Sequence, residues 1–227
     1  MNDLIKATEL LQAFKGNSFK KRVSGLERTF GGTNRDAAGR FLAQQDIGQE
    51  LFAAALLIKH NSSQINEIVH ALGILLALPS LLQDGERVEA LSLAAGNTGK
   101  GFDLETTHRI AEFTFIEWQG GPEVIRQNKV FKDFYFLAET DTVKERELYA
   151  IGTSYVLAFL NSQRGLPQIL KGNAKLGNSF RKKYGDRFPT VRDYYQTKRD
   201  VVKIRDVAEH ISSLKKLKKE LGADSIF

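Results

Sequence analysis

The sequence predicts an α/β fold of the α+β kind, a central sheet flanked by helices with further helices at both ends of the chain. Apolar residues recur at helical spacing up to about residue 82, then alternate in short runs rich in branched and aromatic residues. Starting with the helix over 61–82, the order reads helix, strand, strand, strand, helix, strand before helices return. The 227 residues, with no cysteine, fit one domain with extensions whose core needs no disulfide or cysteine–zinc staple. The predicted division is an N-terminal helical region packing on the core over 1–60, an α/β core over 61–155, and a basic C-terminal helical region over 156–227.

Residues 3–14 space Leu4, Leu10, Leu11 and Phe14 for a helix, and "KGNSFKKR" breaks that pattern. "FGGTNRDAAG", 30–39, reads as a loop by its glycines, Asn and Asp. Residues 40–60 read as one or two helices. A helix over 61–82 opens on the capping residues Asn61, Ser62 and Ser63; it is apolar nearly all round, which predicts burial, and Pro79 ends or kinks it. "RVEALSLAAG", 87–96, alternates as a strand, and "NTGKG" turns. "FDLET" and "RIAEFTFIEW" are two more strands. Gly120, Gly121 and Pro122 open a helix over 122–139, and "ELYAIGTS", 147–154, is a fourth strand. Helices follow, with "YGDRFPTVRDYY" a loop into one of them, and residues 204–221 form an amphipathic, basic tail.

The formal net charge is +6, gathered at Lys20–Lys21–Arg22, at Arg181–Lys182–Lys183, and at Lys215, Lys216, Lys218 and Lys219. Such a surface attracts polyanions, nucleic acid above all, although solvated helix faces give the same pattern. The N-terminus carries Asp3 and has no long apolar core, so no secretory signal is predicted. The most apolar run, 68–82, contains His70 and Pro79 and is shorter than the ~20 residues of a membrane span. A soluble, cytoplasmic protein without membrane contact is expected.

The two strands around 101–118 carry the chemistry. With Thr107 and His108 as the turn, Glu105 pairs with Ile110, Leu104 with Ala111, and Asp103 with Glu112, their Cβ atoms roughly 5 Å apart. Thr114 shares the face of Glu112, while Phe113, Phe115 and Glu117 point the other way. Two facing carboxylates repel unless one keeps a proton or a divalent cation joins them; magnesium takes one or two carboxylates plus substrate phosphate. The turn lacks an Asn-Gly signature, so a solvent-facing hairpin in a slipped register is the competing reading.

The stretch "GFDLETTHRIAEFTF" resembles the PD-(D/E)XK, or restriction-endonuclease-like, nuclease superfamily, whose core has the same element order and whose site is a hairpin carrying Asp and then Glu-x-Lys or Asp-x-Lys. The resemblance covers about residues 60–155. It places Asp103 and Glu112 as the acids and Thr114 where the family has lysine. Glu67 would fill the place of an acid from the preceding helix. Gln127 would match the glutamine of the RecB-like members, with Gln-x-x-x-Phe standing for their Gln-x-x-x-Tyr. The resemblance implies a restriction-endonuclease-like core, αβββαβ with a mixed sheet, and Mg²⁺ (or Mn²⁺) held by Asp103, Glu112 and Glu67. It also implies hydrolysis of DNA by an endonuclease rather than an exonuclease, with a homodimer as a further expectation. The family's lysine is thought to orient or activate water and to stabilise developing charge. Its replacement by threonine leaves three readings. A lysine arrives from elsewhere, with Lys129, Lys132 and Lys100 the candidates; or the site is degenerate and the domain binds nucleic acid or a protein; or Thr114 marks a loss in an otherwise active lineage. Gln127 or Lys129 would then position water or phosphate.

Other features carry less. His60, His70, His108 and His210 show no zinc spacing and read as ordinary polar or core histidines. "GNTGKG" lacks the phosphate-loop pattern and leads into a strand. Phe131, Phe134, Tyr135 and Leu137 read as core, Trp118 and Gln119 as a strand end, and "KKLKKELG" as a solvated helix face.

Overall fold

The computed structural model describes residues 2–30, 35–62, 65–93, 101–115, 123–212 and 214. Lys100, Glu117, Trp118, Gln119, the turn at Gly120–Pro122, the lysines beyond 214 and the side chain of Lys20 lie outside the described residues. The chain divides into two compact units, Met1–Ile65 and Asn66–Phe227.

The first unit is helical: α1 (Asn2–Lys15), α2 (Phe19–Phe30), α3 (Arg35–Gln44) and α4 (Gln49–Asn61). Two expectations need correction. The basic run that breaks the first helix itself starts α2, where Phe19, Val23 and Leu26 keep an i, i+4, i+7 stripe. The predicted loop over 30–39 is helical from Arg35, because Ala37, Ala38, Phe41 and Leu42 fall on one side of α3. Helix α1 packs on α4, where the buried small residues Ala7 and Ala54 allow close approach and Lys6 pairs with Glu50 at 2.7 Å.

The second unit is built on one mixed sheet. Its strands are β1 (Val88–Leu91), β2 (Leu104–Thr106), β3 (Arg109–Thr114), β4 (Glu145–Ala150) and β5 (Lys203–Asp206), in the order β1-β2-β3-β4-β5. The first three are antiparallel; β4 runs parallel to β3, and β5 parallel to β4. The β2–β3 register is the expected one, Leu104 opposite Ala111 and Glu105 opposite Ile110. Strand β1 is shorter than predicted, and β4 starts two residues early and ends before Gly152, whose φ of +71° turns the chain toward α7 (Ser154–Leu160). Strand β5 replaces the start of the predicted amphipathic tail. A four-residue edge strand with Lys203 exposed and Ile204 half-buried is too short to declare its period.

Helices cover both faces. On one, α6 (Val124–Glu139), α7, α8 (Leu166–Lys171), α9 (Ala174–Tyr184) and α10 (Val191–Lys198) pack around Ile110 and Leu148. The buried Phe131, Phe134, Tyr135 and Leu137 of α6 are core, as expected. Thr190 and Asp193 form a reciprocal capping box that starts α10 after its loop. On the other face α5 (Ile65–Leu81) lies beneath Leu104, Ala111, Phe113 and Phe115.

Helix α5 is not buried all round. Gly73, Ile74, Ala77 and Leu81 are buried, whereas Ile68, Leu72, Leu75 and Leu76 are exposed, because a helix on a sheet buries one stripe whatever its other residues are. Pro79 lies inside the helix, which continues to Leu81. The stretch Gln49–Leu81 is long and apolar enough by length and composition to cross a membrane. Its second half packs one face against the sheet and carries Glu67 and His70 to a polar cleft.

A buried ion network stitches the sheet on the α5 side. Arg109 donates from Nε and Nη2 to the two oxygens of Glu86 at 2.7 and 2.8 Å, and from Nη1 to Glu147 at 2.8 Å. The Thr106 hydroxyl and the Gln83 amide also donate to Glu86. Burial pushes the Glu86 carboxyl up, but these donors together bring it down to about 2.

Candidate active site

The larger cleft, about 530 Å³, lies in the first unit among Leu10, Phe14, Arg22, Ile47 and Leu51 and assembles no acid–base constellation. A cleft of about 400 Å³ in the second unit does: Glu67, His70, Asp103, Glu112, Thr114, Lys129 and Lys132 line it.

Asp103 stands one residue before β2, so the β2–β3 register sets it against Glu112. Its carbonyl accepts from Ser92 N at 2.8 Å, which ties it to β1. Oδ2 accepts from the Phe113 amide at 2.9 Å, and His70 Nε2 lies 3.3 Å from Oδ1. Burial raises the carboxyl, but His70 and the Phe113 amide outweigh it, so Asp103 ionises below the usual aspartate range.

Helix α6 crosses the same face of the sheet and brings two lysines and an acid. Lys129 Nζ donates to Asp133 Oδ2 at 2.7 Å, one helical turn on, and to the Phe113 carbonyl at 3.4 Å. Lys132 Nζ lies 3.1 Å from Asp133 Oδ1. Burial alone would lower the Lys129 ammonium; Asp133, Glu112 and Asp103 hold it raised, so it stays charged. Glu112 is pushed up to about 9 by burial first, then by Asp133 and Asp103 and a hydrogen bond shared with Asp103, against the pull of Lys129. Burial and the neighbouring acids thus favour the protonated form of Glu112 and the ionised form of Asp103.

The other candidates fare differently. Thr114 is buried in the cleft wall on the face of Glu112, while Phe113 and Phe115 pack into the opposite core, as strand parity predicts. Glu67 lines the cleft and is exposed. Gln127 is corrected: it is buried, leaves Oε1 without a hydrogen bond and does not line the cleft. Two residues from Lys129 is about 200° around a helix, which sends the two side chains to opposite sides. Phe131 of the proposed Gln-x-x-x-Phe pair is fully buried in the core.

His70 and Asp133 were missed. His70 continues the Ile74–Ala77–Leu81 stripe of α5 one turn toward its N-terminus, a side that the all-round apolar sequence of α5 does not mark. Asp133 is an acid one turn from Lys129 inside the aromatic stripe of α6, almost fully buried. Chemically the cleft offers two facing hard oxygen donors, a half-buried ammonium held in place by an acid, and a hydroxyl beside them.

Among the described residues, no group of three His, Cys, Asp or Glu side chains is set to hold a metal ion. No protein-family model, curated protein or solved structure matches the chain.

Proposed function

We propose that the second unit is a restriction-endonuclease-like domain that hydrolyses DNA phosphodiester bonds with a divalent cation, as an endonuclease. The observation that carries the reading is Lys129: α6 sets an ammonium in the same cleft as the acids Asp103 and Glu112, held by Asp133 and the Phe113 carbonyl, beside the threonine that stands at the family's lysine position. Support also comes from the element order, helix, three antiparallel strands, helix, parallel strand, and from the mixed sheet.

Magnesium or manganese suits the donors. Asp103 and Glu112 supply hard oxygens, with Glu67 on the cleft wall, and two carboxylates are a usual protein share for magnesium. Even with Lys129 nearby, burial and the neighbouring acids push the Glu112 carboxyl up to about 9, and a divalent cation between the acids would favour its ionised form. The cation would polarise the phosphoryl group and acidify a water. The chain's own residues do the rest. His70 and the Phe113 amide orient Asp103. Asp133 holds Lys129, whose charge stabilises the negative charge that develops on the phosphate. The Thr114 hydroxyl hydrogen-bonds a water without adding charge.

The alternative is a catalytically degenerate domain that binds nucleic acid or a protein. It is favoured by the tie of Lys129 to Asp133 at 2.7 Å, which spends part of the ammonium's donor capacity. Supercoiled plasmid incubated with magnesium or manganese separates the two. The wild-type chain is expected to nick or linearise it and Asp103→Ala is not. If the wild-type chain cuts no form of DNA or RNA, the nuclease reading fails.

A further inference from the structure

The twenty residues from Leu166 to Gly185 carry five cations and no acid. Lys183 is committed to Glu139, but Lys171, Lys175 and Lys182 are exposed and make no ion pair among the described residues. Lys175 and Lys182 are seven residues apart on α9, two turns, and so share one stripe. The opposite side of α9 is anchored by the buried Leu176, Gly177 and Phe180.

The start of this stripe lies beside the cleft. Between α8 and α9, Gly172 abuts α6 so closely that a Cβ there would sit 2.5 Å from Asn128 Nδ2. Lys171 is the neighbouring residue, one Cα step of about 3.8 Å away. On α6, Lys132 follows Asn128 by one turn and lies about 40° around the helix toward Lys129, and it lines the cleft. Positive charge therefore runs from Lys129 through Lys132 to the α8–α9 turn and along α9.

We propose that this track carries the sugar-phosphate backbone of DNA to one side of the cleaved bond. The proposal rests on the nuclease reading and adds to it a docking surface made of lysines outside the chemistry. Lys175 and Lys182 are about 10.5 Å apart along the helix, about the rise of three nucleotides of one strand along a duplex axis. Contacts of this kind position the duplex without reading its sequence. They make affinity fall linearly with the logarithm of salt, by about 0.9 in slope for each phosphate neutralised.

The test is binding, not cleavage. Fluorescently labelled duplex DNA is titrated with the full wild-type chain in EDTA, by anisotropy, from about 50 to 300 mM salt. The variant Lys171→Gln/Lys175→Gln/Lys182→Gln is compared with the charge-matched Arg87→Gln/Arg192→Gln/Lys203→Gln. The track predicts that the first variant binds at least about tenfold more weakly at 100 mM salt, with a slope shallower by about 2–3, while the second changes far less. Equal losses in both variants, or none in the first, overturn the track and leave the nuclease reading standing. A wild-type chain that binds no DNA at the lowest salt also overturns the track, and the plasmid assay with magnesium or manganese then decides the nuclease reading separately.

Discussion

Thr114 is uncharged where the resembled site has lysine, and Lys129 of α6 lines the same cleft as the acids. If Lys129 supplies that charge, Lys129→Met lowers single-turnover cleavage by about 10²–10³-fold, the cost of losing one electrostatic group in such a site, and leaves cation affinity much less affected. An unchanged rate would place the needed charge elsewhere. Glu112 gives a pH test. Its carboxyl titrates near 9 in the folded, metal-free chain and near 4.5 when ordinary, so the folded state binds an extra proton between those values. Stability from this residue is full below about 4.5 and is lost as pH rises toward 9. Thermal melts in EDTA should show the midpoint falling over that window, and Glu112→Gln should flatten this dependence. Asp103 and Glu112 were legible because strand alternation and a two-residue turn set their register. His70 and Asp133 were not, because the His70–Asp103 contact and the burial of Asp133 are set by how α5 and α6 pack on the sheet.

Helix α5 reaches the sheet through a missing side chain. A Cβ on Gly73 would overlap the buried Phe115 ring, which stands edge-on to His70 at 5.8 Å between centroids. In an exposed helix interior, Gly→Ala gains about 1 kcal/mol; here overpacking costs about 1–3 kcal/mol, so urea denaturation of Gly73→Ala should show net destabilisation. A stabilised variant would mean that α5 sits farther from β3. Arg109 clamps β3 to β4 and to the segment before β1. Arg109→Leu leaves Glu86 and Glu147 buried without their guanidinium and is expected to cost about 3–5 kcal/mol in the same assay. At this scale the hairpin, β4 and α6 were legible from period and turn chemistry. Helix α2 was hidden under its basic residues, and β5 is too short to show a period and is defined by its pairing with β4.

Across the molecule, a helical unit over Met1–Ile65 precedes a sheet-based unit that contains every residue of the proposed site. The mixed α/β class was legible because strands and helices occupy separate runs of sequence. The face of α5 that meets the sheet was not, because an apolar run marks no preferred side until the strands are in place. The excess of positive charge was visible as well, but its use was not, since Lys183 is spent on Glu139 while Lys171 and Lys175 adjoin the turn packed on α6. The proposed chemistry requires Asp103 and Glu112 to share a divalent cation. Anomalous scattering from crystals of the chain soaked in manganese would locate it. One strong peak is expected about 2 Å from an oxygen of Asp103 and an oxygen of Glu112. A peak bound by other residues, or none between these two at saturating manganese, would contradict it.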